Sequence, residues 1–365
     1  MSTVLMIGTR KGLWIATSDD ERRDWELTGP HHDMEEVYSC LIDPRGSRGR
    51  GGVPRLFAGA SSPWIGPRVR WSDDLGATWQ EGPDGGPRFD EGTGTSVERV
   101  WQLVAGTEDG VVWAGTEPGA VWRSDDDGRT FALEQALWDH PDRADWGAGY
   151  GGQAFHTILP HPTDPASVTV AISTGGVYQT ADGGASWHAR NRGIRADFLP
   201  EGQQYPEFGQ CVHKVARHPS RPERLFLQNH GGVYRSDDHA ATWVPIHDGL
   251  PVDFGFPVVV DPQDPDTVYV FPNSSGDSRY PPGGRARVWR SRDAGASWEA
   301  LDNGLPDRFY VGVMRDAMVS DDHDPTGLYV GARNGAVWGS ADAGASWRPL
   351  VANLPDVLVV RAAAY

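Results

Sequence analysis

Cysteine is nearly absent: 365 residues hold two, Cys40 and Cys211. Two thiols in inner segments of different repeats exclude a disulfide framework and read as small buried hydrophobes. Basic charge is in deficit, with 33 Lys plus Arg against 50 Asp plus Glu, a formal net charge of −17. That balance excludes nucleic acid and an anionic membrane surface as partners. No apolar run is long enough to span a bilayer as a helix. The opening MSTVLMIGTRKG has no basic stretch before its apolar run and no small-residue cleavage site. It therefore reads as a strand rather than a secretory leader, and a cytoplasmic location is expected. The chain also lacks a Cys-x-x-Cys pair, a nucleophile elbow and a P-loop. GAGYGG (147–152) resembles a phosphate loop only in composition, because it neither follows a strand nor opens a helix.

What the chain has in quantity is Gly 46, Pro 28 and Trp 16. Glycine and proline at that level suit many short strands joined by tight turns. Most tryptophans recur at equivalent positions of one eight-residue phrase, Ser/Thr-x-Asp-x-Gly-x-Ser/Thr-aromatic. It reads SDDLGATW (72–79), SDDDGRTF (124–131), TADGGASW (180–187), SDDHAATW (236–243), SRDAGASW (291–298) and SADAGASW (340–347), with a worn copy SDDERRDW at 18–25. The starts lie 54, 52, 56, 56, 55 and 49 residues apart. A fixed period of this length means one supersecondary unit repeated.

One unit shows the physics. CVHKVARHP (211–219), RLFLQN (224–229), GVYRSDD (232–238) and TWVPIH (242–247) read as four antiparallel strands, one propeller blade. A lone sheet of this kind cannot bury both faces, so its neighbours must stack around an axis. In the phrase, the Asp accepts turn N–H groups, the Gly takes a positive φ, and the Trp fills the layer between blades. The phrase is a structural staple, not a catalytic carboxylate. Ala240 and Arg22 stand where the other copies have Gly, so those two turns are expected to be the least regular. The chain opens at VLMIGT (4–9), a second-type strand, and ends in VLVVRAAAY (357–365), an inner-type strand. The expected fold is all-β: one domain, 1–365, a seven-bladed propeller of four-stranded blades, closed when Val357 to Tyr365 completes the N-terminal blade.

Seven such phrases resemble the bacterial neuraminidase (Asp-box) repeat superfamily, which includes sialidases, xyloglucan-cleaving glycosidases, sortilin-type receptors and a photosystem II assembly factor. The resemblance covers essentially the whole chain. It implies a propeller, and either a sialidase-like glycoside hydrolase or lyase or a non-catalytic interaction scaffold. Sialidases of this group carry Arg-Ile-Pro before the first repeat; none occurs here, so true exo-sialidase activity is not implied.

In a propeller the inner strands line the channel and alternate residues face it. Aligning the inner strands on the turns that end them gives Tyr38, His156, His213, Phe256 and Asp316, and Trp101 (WQLVAG) and Arg361 (RAAAY) are the nearest matches in the other two blades; these seven are the inferred ring. Ionisable groups gathered in a channel are functional candidates. They can equally be a salt-bridge plug that fixes blade register. Loops at the rim add Arg10, Lys11, His31, His32, Glu36, Trp64, Glu98, Arg99, Glu117, His230, Arg315, Arg333 and Asn334. Two long connections, 138–152 and 194–209, carry aromatics as binding loops do. The alternative is that these rings cover blade rims. The catalytic candidates are Asp316, Glu36 and Glu117 as acid/base and His156 and His213 for proton transfer. The ligand-binding candidates are Tyr38, Trp101, Arg10, Arg99, His230, Phe256, Arg333 and Arg361, with the arginines holding an anionic group. His156, His213 and Asp316 match a two-His-one-carboxylate metal set in composition. They come from three blades, so no metal or other cofactor is expected. The expected partner is a small molecule or carbohydrate; a protein partner is the alternative.

Overall fold

The computed structural model describes residues 1–147 and 152–365. Seven four-stranded antiparallel sheets form a ring. Each inner strand touches the next, and the seventh returns to the first. The inner strands are Val357–Ala364, Glu36–Asp43, Arg99–Ala105, Phe155–Pro160, Val212–Arg217, Gly255–Val260 and Met318–Ser320, for blades one to seven. The second strands are buried throughout, as in Val268–Pro272 and Leu225–Asn229. They are rich in Val, Leu, Tyr and Phe because each face meets a neighbouring blade. Leu41 and Phe57 of blade two pack on Val100, Leu103 and Trp122 of blade three. Ala171 and Val177 of blade four pack on Val215 and Leu227 of blade five. The outer strands are shorter than the sequence suggests. In blade five the outer strand is only Val244–Pro245, because Pro245 brings no N–H to the ladder.

The ring closes through its termini. Val357–Ala364 pairs antiparallel with Thr3–Thr9, Ala364 opposite Thr3 and Val360 opposite Ile7. Ser2 and Tyr365 exchange backbone hydrogen bonds at 2.9 and 2.8 Å. One blade is thus built from both ends of the chain, and the strand Thr3–Thr9 is not left as an open edge.

Each intact copy of the phrase folds into the same turn. In the second blade, the Ser72 Oγ donates to Asp74 at 2.7 Å and accepts from the Gly76 N–H at 2.8 Å. The Thr78 hydroxyl and N–H both donate to the Asp74 carboxylate, at 2.6 and 2.8 Å. Gly76 sits at φ 90°, which glycine reaches without a Cβ penalty. The fifth turn departs from expectation. Ala240 takes φ 67° and still donates to Ser236 Oγ at 2.9 Å, so the turn keeps its bonds. The worn first turn is altered and put to another use. Arg22, at φ 54° and 6% exposed, reaches into blade seven. There it pairs with Asp321 at 3.2 Å and donates to the Pro325 and Ala341 carbonyls.

Candidate functional site: the channel mouth

Five of the seven inferred ring residues share a backbone feature. The pairing of inner with second strands slips at Tyr38, Trp101, His156, His213 and Phe256. Each slip is a β-bulge, which inserts an extra residue and re-aims its side chain. In blade one the slip falls at Leu358, not at Arg361, which lies three residues further along and pairs opposite Met6. In blade seven Asp316 precedes the inner strand and bridges to Val359 of blade one.

Below the bulges lies a polar hub. Asp316, 4% exposed, accepts from the Lys214 ammonium at 2.7 Å and from Arg361 at 2.6 Å. Arg361 also donates to Gln102 at 3.1 Å. Blades five, seven, one and three are thereby tied across the axis. Two cations hold the Asp316 carboxyl well below the ordinary carboxylate range despite its burial. Asp316 therefore stays ionised at neutral pH and has no proton to give. Lys214 was missed in the sequence, although the chain has only one other lysine, Lys11.

The histidines divide. His156 is fully buried, with Nε2 donating to the Val212 carbonyl at 2.9 Å and Nδ1 beside the Thr157 hydroxyl at 3.0 Å. Burial, then the charge of Arg315, holds it neutral, well below its ordinary range. It staples blade four to blade five, as the Gln102 amide staples blade three to the His156 carbonyl at 3.0 Å. Neither His156 nor Asp316 is free to join His213 around a metal. His213 is lowered to about 3, chiefly by burial and then by Arg315, and its Nδ1 faces the Gly255 carbonyl. Its stacked neighbour is Phe256, with ring centroids 4.8 Å apart.

Above the bulges two cavities adjoin. One, of about 340 Å³, is lined by Tyr38, Arg99, Trp101, Glu117, Arg333 and Leu358 among others. The second, of about 550 Å³, is lined by Phe198, Cys211, His213, His230, Phe254 and Phe256 among others. They share Trp101, Arg279, Met314 and Arg315 as a common wall. Around the first, charges alternate in a belt. Arg333 pairs with Asp356 at 2.6 Å, Asp356 with Arg10 at 3.2 Å and Arg10 with Glu36 at 2.6 Å. Arg99 then binds Glu117 at 2.7 Å, and Trp101 Nε1 donates to the same carboxylate at 3.0 Å. The four arginines singled out from sequence (Arg10, Arg99, Arg333 and Arg361) are therefore all neutralised by protein carboxylates.

Two arginines on the common wall are not. Among the described residues, no carboxylate oxygen lies within 4.0 Å of Arg279 or Arg315. Arg315 is 8% exposed and spends only its Nε on the His213 carbonyl, at 3.0 Å. Its guanidinium lies 5.6 Å from the Trp101 ring and 5.8 Å from that of Phe256; Arg279 lies 5.8 Å from Phe256. Burial and the charge of Arg279 push the Arg315 pKa down, partly offset by Asp316. Arg279 comes from residues 273–287, the connection between the second and third strands of blade six. Its length was the overlooked signal, since the equivalent turn of blade five is two residues.

The long connections also divide. Trp138 stacks on Arg143, and Trp146 is buried with its Nε1 donating to Tyr178 at 2.9 Å, so both cover a blade rim. The GAGYGG segment of that connection falls mostly on residues 148–151, outside the described residues. The 194–209 connection instead places Phe198 in the second cavity. Lys11 and Trp64 stand exposed on the rim.

No protein-family model matches the chain, and no curated protein does. Among solved structures it is similar to an ancestral GH74 enzyme, at 16% identity and a TM-score of 0.55 over 86% of this chain. That alignment spans only 38% of the enzyme's length. It is similar to YCF48 bound to D1 peptide, at 14% identity and a TM-score of 0.52 over 92% of each chain. It is similar to a Bacteroides uniformis structure provisionally named a 6-phosphogluconolactonase, at 10% identity and a TM-score of 0.56 over 99% of each. At such identities these likenesses bear on the fold alone, and what the chain shares with all three is the β-propeller.

Proposed function

We propose that this propeller binds a small anionic molecule, such as a sugar acid or an aryl acid, at the channel mouth. The anion sits between Arg279 and Arg315, and the ring lies against Phe256 and Trp101. One observation carries the reading: two guanidinium groups face a shared cavity wall with no protein carboxylate to neutralise them. A buried cation without a counter-ion is costly, and a bound carboxylate or phosphate supplies one through charge-assisted hydrogen bonds. The likeness to a GH74 enzyme and to YCF48 leaves both carbohydrate and protein partners open. Binding is favoured over glycoside hydrolysis by the state of the carboxylates. Hydrolysis needs a carboxyl kept protonated near neutral pH. Asp316 is held ionised by two cations, and Glu36 and Glu117 are clasped by Arg10 and Arg99.

Calorimetric titration with phenyl phosphate, using phenol and glucose as neutral controls, tests this. Phenyl phosphate is expected to bind, the neutral compounds not, and Arg279→Met to weaken binding by about tenfold or more, the 1.5–3 kcal/mol scale of a charged hydrogen bond. Equal affinity for charged and neutral compounds, or an unchanged Arg279→Met variant, contradicts it. A second reading has one observation behind it. Trp64 is 93% exposed beside Ile65 at 54%, as a protein-docking rim would be.

A further inference from the structure

Cys211, His213 and His230 form a cluster that the anion reading does not use. They come from a single blade. Cys211 and His213 are two residues apart at the start of the inner strand, and His230 stands at the tip of the turn after Leu225–Asn229. The His230 N–H donates to the Cys211 carbonyl at 2.9 Å, which pins that turn over the strand. One ligand atom from each side chain lies within 4.8 Å of the other two. All three line the second cavity.

The tautomer of His213 follows from its surroundings. Its Nδ1 faces the Gly255 carbonyl, which can only accept, so Nδ1 carries the proton. Nε2 then carries the lone pair and accepts from the Cys211 thiol at 3.7 Å, the one proton that a metal ion would displace. A backbone carbonyl orienting one ring nitrogen while the other turns its lone pair toward a neighbouring ligand is the usual support of a metal-binding histidine. The separation is also right. Zn–S near 2.3 Å and Zn–N near 2.0–2.1 Å in a tetrahedron put S and N roughly 3.6 Å apart. The His230 ring is exposed, and neither of its nitrogens has a hydrogen-bond partner among the described residues. An inward swing of no more than roughly 1 Å would close the set, since its ligand atom lies within 4.8 Å of the other two.

We propose that Cys211, His213 and His230 bind a divalent, borderline-soft metal ion of the zinc class, with the fourth coordination position open to the cavity. One thiolate and two imidazoles select such an ion over magnesium or calcium, and three protein ligands leave a place for water or an anionic ligand. The thiol proton is released on binding. Arg315, bonded to the His213 carbonyl, puts the proposed ion beside the unneutralised wall. The site nevertheless stands without the anion reading, since it needs no organic ligand.

The test uses the untagged full chain, stripped with a chelator and titrated with Co²⁺, with Zn²⁺ as competitor. One Co²⁺ per chain is expected, with thiolate-to-cobalt charge-transfer absorption in the near ultraviolet that Zn²⁺ abolishes. Cys211→Ser should lose that absorption while keeping the wild-type near-ultraviolet circular dichroism. His230→Ala should weaken binding by at least the ~10–100-fold that loss of an outer-shell partner alone costs. No retained metal, or absorption that persists in Cys211→Ser, overturns the proposal. Phenyl phosphate binding by the metal-free protein reports on the anion reading separately.

Discussion

At the scale of the residue, like side chains are separated by their partners. Six named arginines approach the channel; Arg10, Arg99, Arg333 and Arg361 are neutralised within the protein, and among the described residues Arg279 and Arg315 face the cavity without a carboxylate. The histidines follow the same rule: His156 joins blades, while His213 joins blades with one nitrogen and turns the other to the Cys211 thiol. Both are held neutral, His156 well below its ordinary range and His213 lowered to about 3, by burial first and then by Arg315. The sign of the consequence is fixed. An unfolded histidine titrates near pH 6.5, so below that the unfolded chain takes up protons that the folded chain refuses. Stability is full above about pH 6.5 and falls toward the folded values, by about 1.4 kcal/mol per pH unit for each such histidine. Urea midpoints measured from pH 7 to 5 should decline. The slope should ease in His156→Gln, which can still donate to Val212 as Gln102 does to the next blade. A flat profile over that range contradicts the assignment.

At the scale of the element, the turn phrase and the bulge do different work. The phrase was legible because a period near fifty residues cannot arise from chance composition, and its Asp, Gly and Trp each have a local reason to recur. Its tolerance was not legible: Ala240 holds the turn at φ 67°, while Arg22 was recruited to clamp the neighbouring blade. What separates tolerant from intolerant copies is the space under the turn. A Cβ on Gly295, at φ 94°, would meet Ile246 Cδ1 at 2.5 Å. Gly295→Ala should therefore cost about 1–3 kcal/mol in chemical denaturation, whereas Ala240→Gly should change stability by less than about 1 kcal/mol. Comparable losses in the two variants would refute that distinction. The bulges were half legible. Aligning inner strands found the residues at five of them, because the turn that ends each strand keeps the count. It failed in blade one, where Arg361 was taken for Leu358, since the final strand ends without a following turn.

At the scale of the whole molecule, ring closure converts a repeat into a site. Only when Val357–Ala364 pairs with Thr3–Thr9 do Arg361 and Asp316 meet across the axis, and only then do six bulges and Asp316 of blade seven face one mouth. The ring and its closure could be read from period and strand order alone. The free arginines could not, because their freedom depends on which carboxylates Arg10, Arg99 and Arg333 take, and those pairings join residues up to 346 positions apart. The cavity between Arg279 and Arg315 is the claim on which the functional reading rests. A crystal of the protein soaked in para-bromobenzoate tests it most directly, since the bromine can be located by anomalous scattering. The expected result is carboxylate density within hydrogen-bonding distance of both guanidinium groups and bromine over the Phe256 side of the mouth. Bromine confined to the outer rim, or a carboxylate bound to Arg10 and Arg333 instead, would contradict the account.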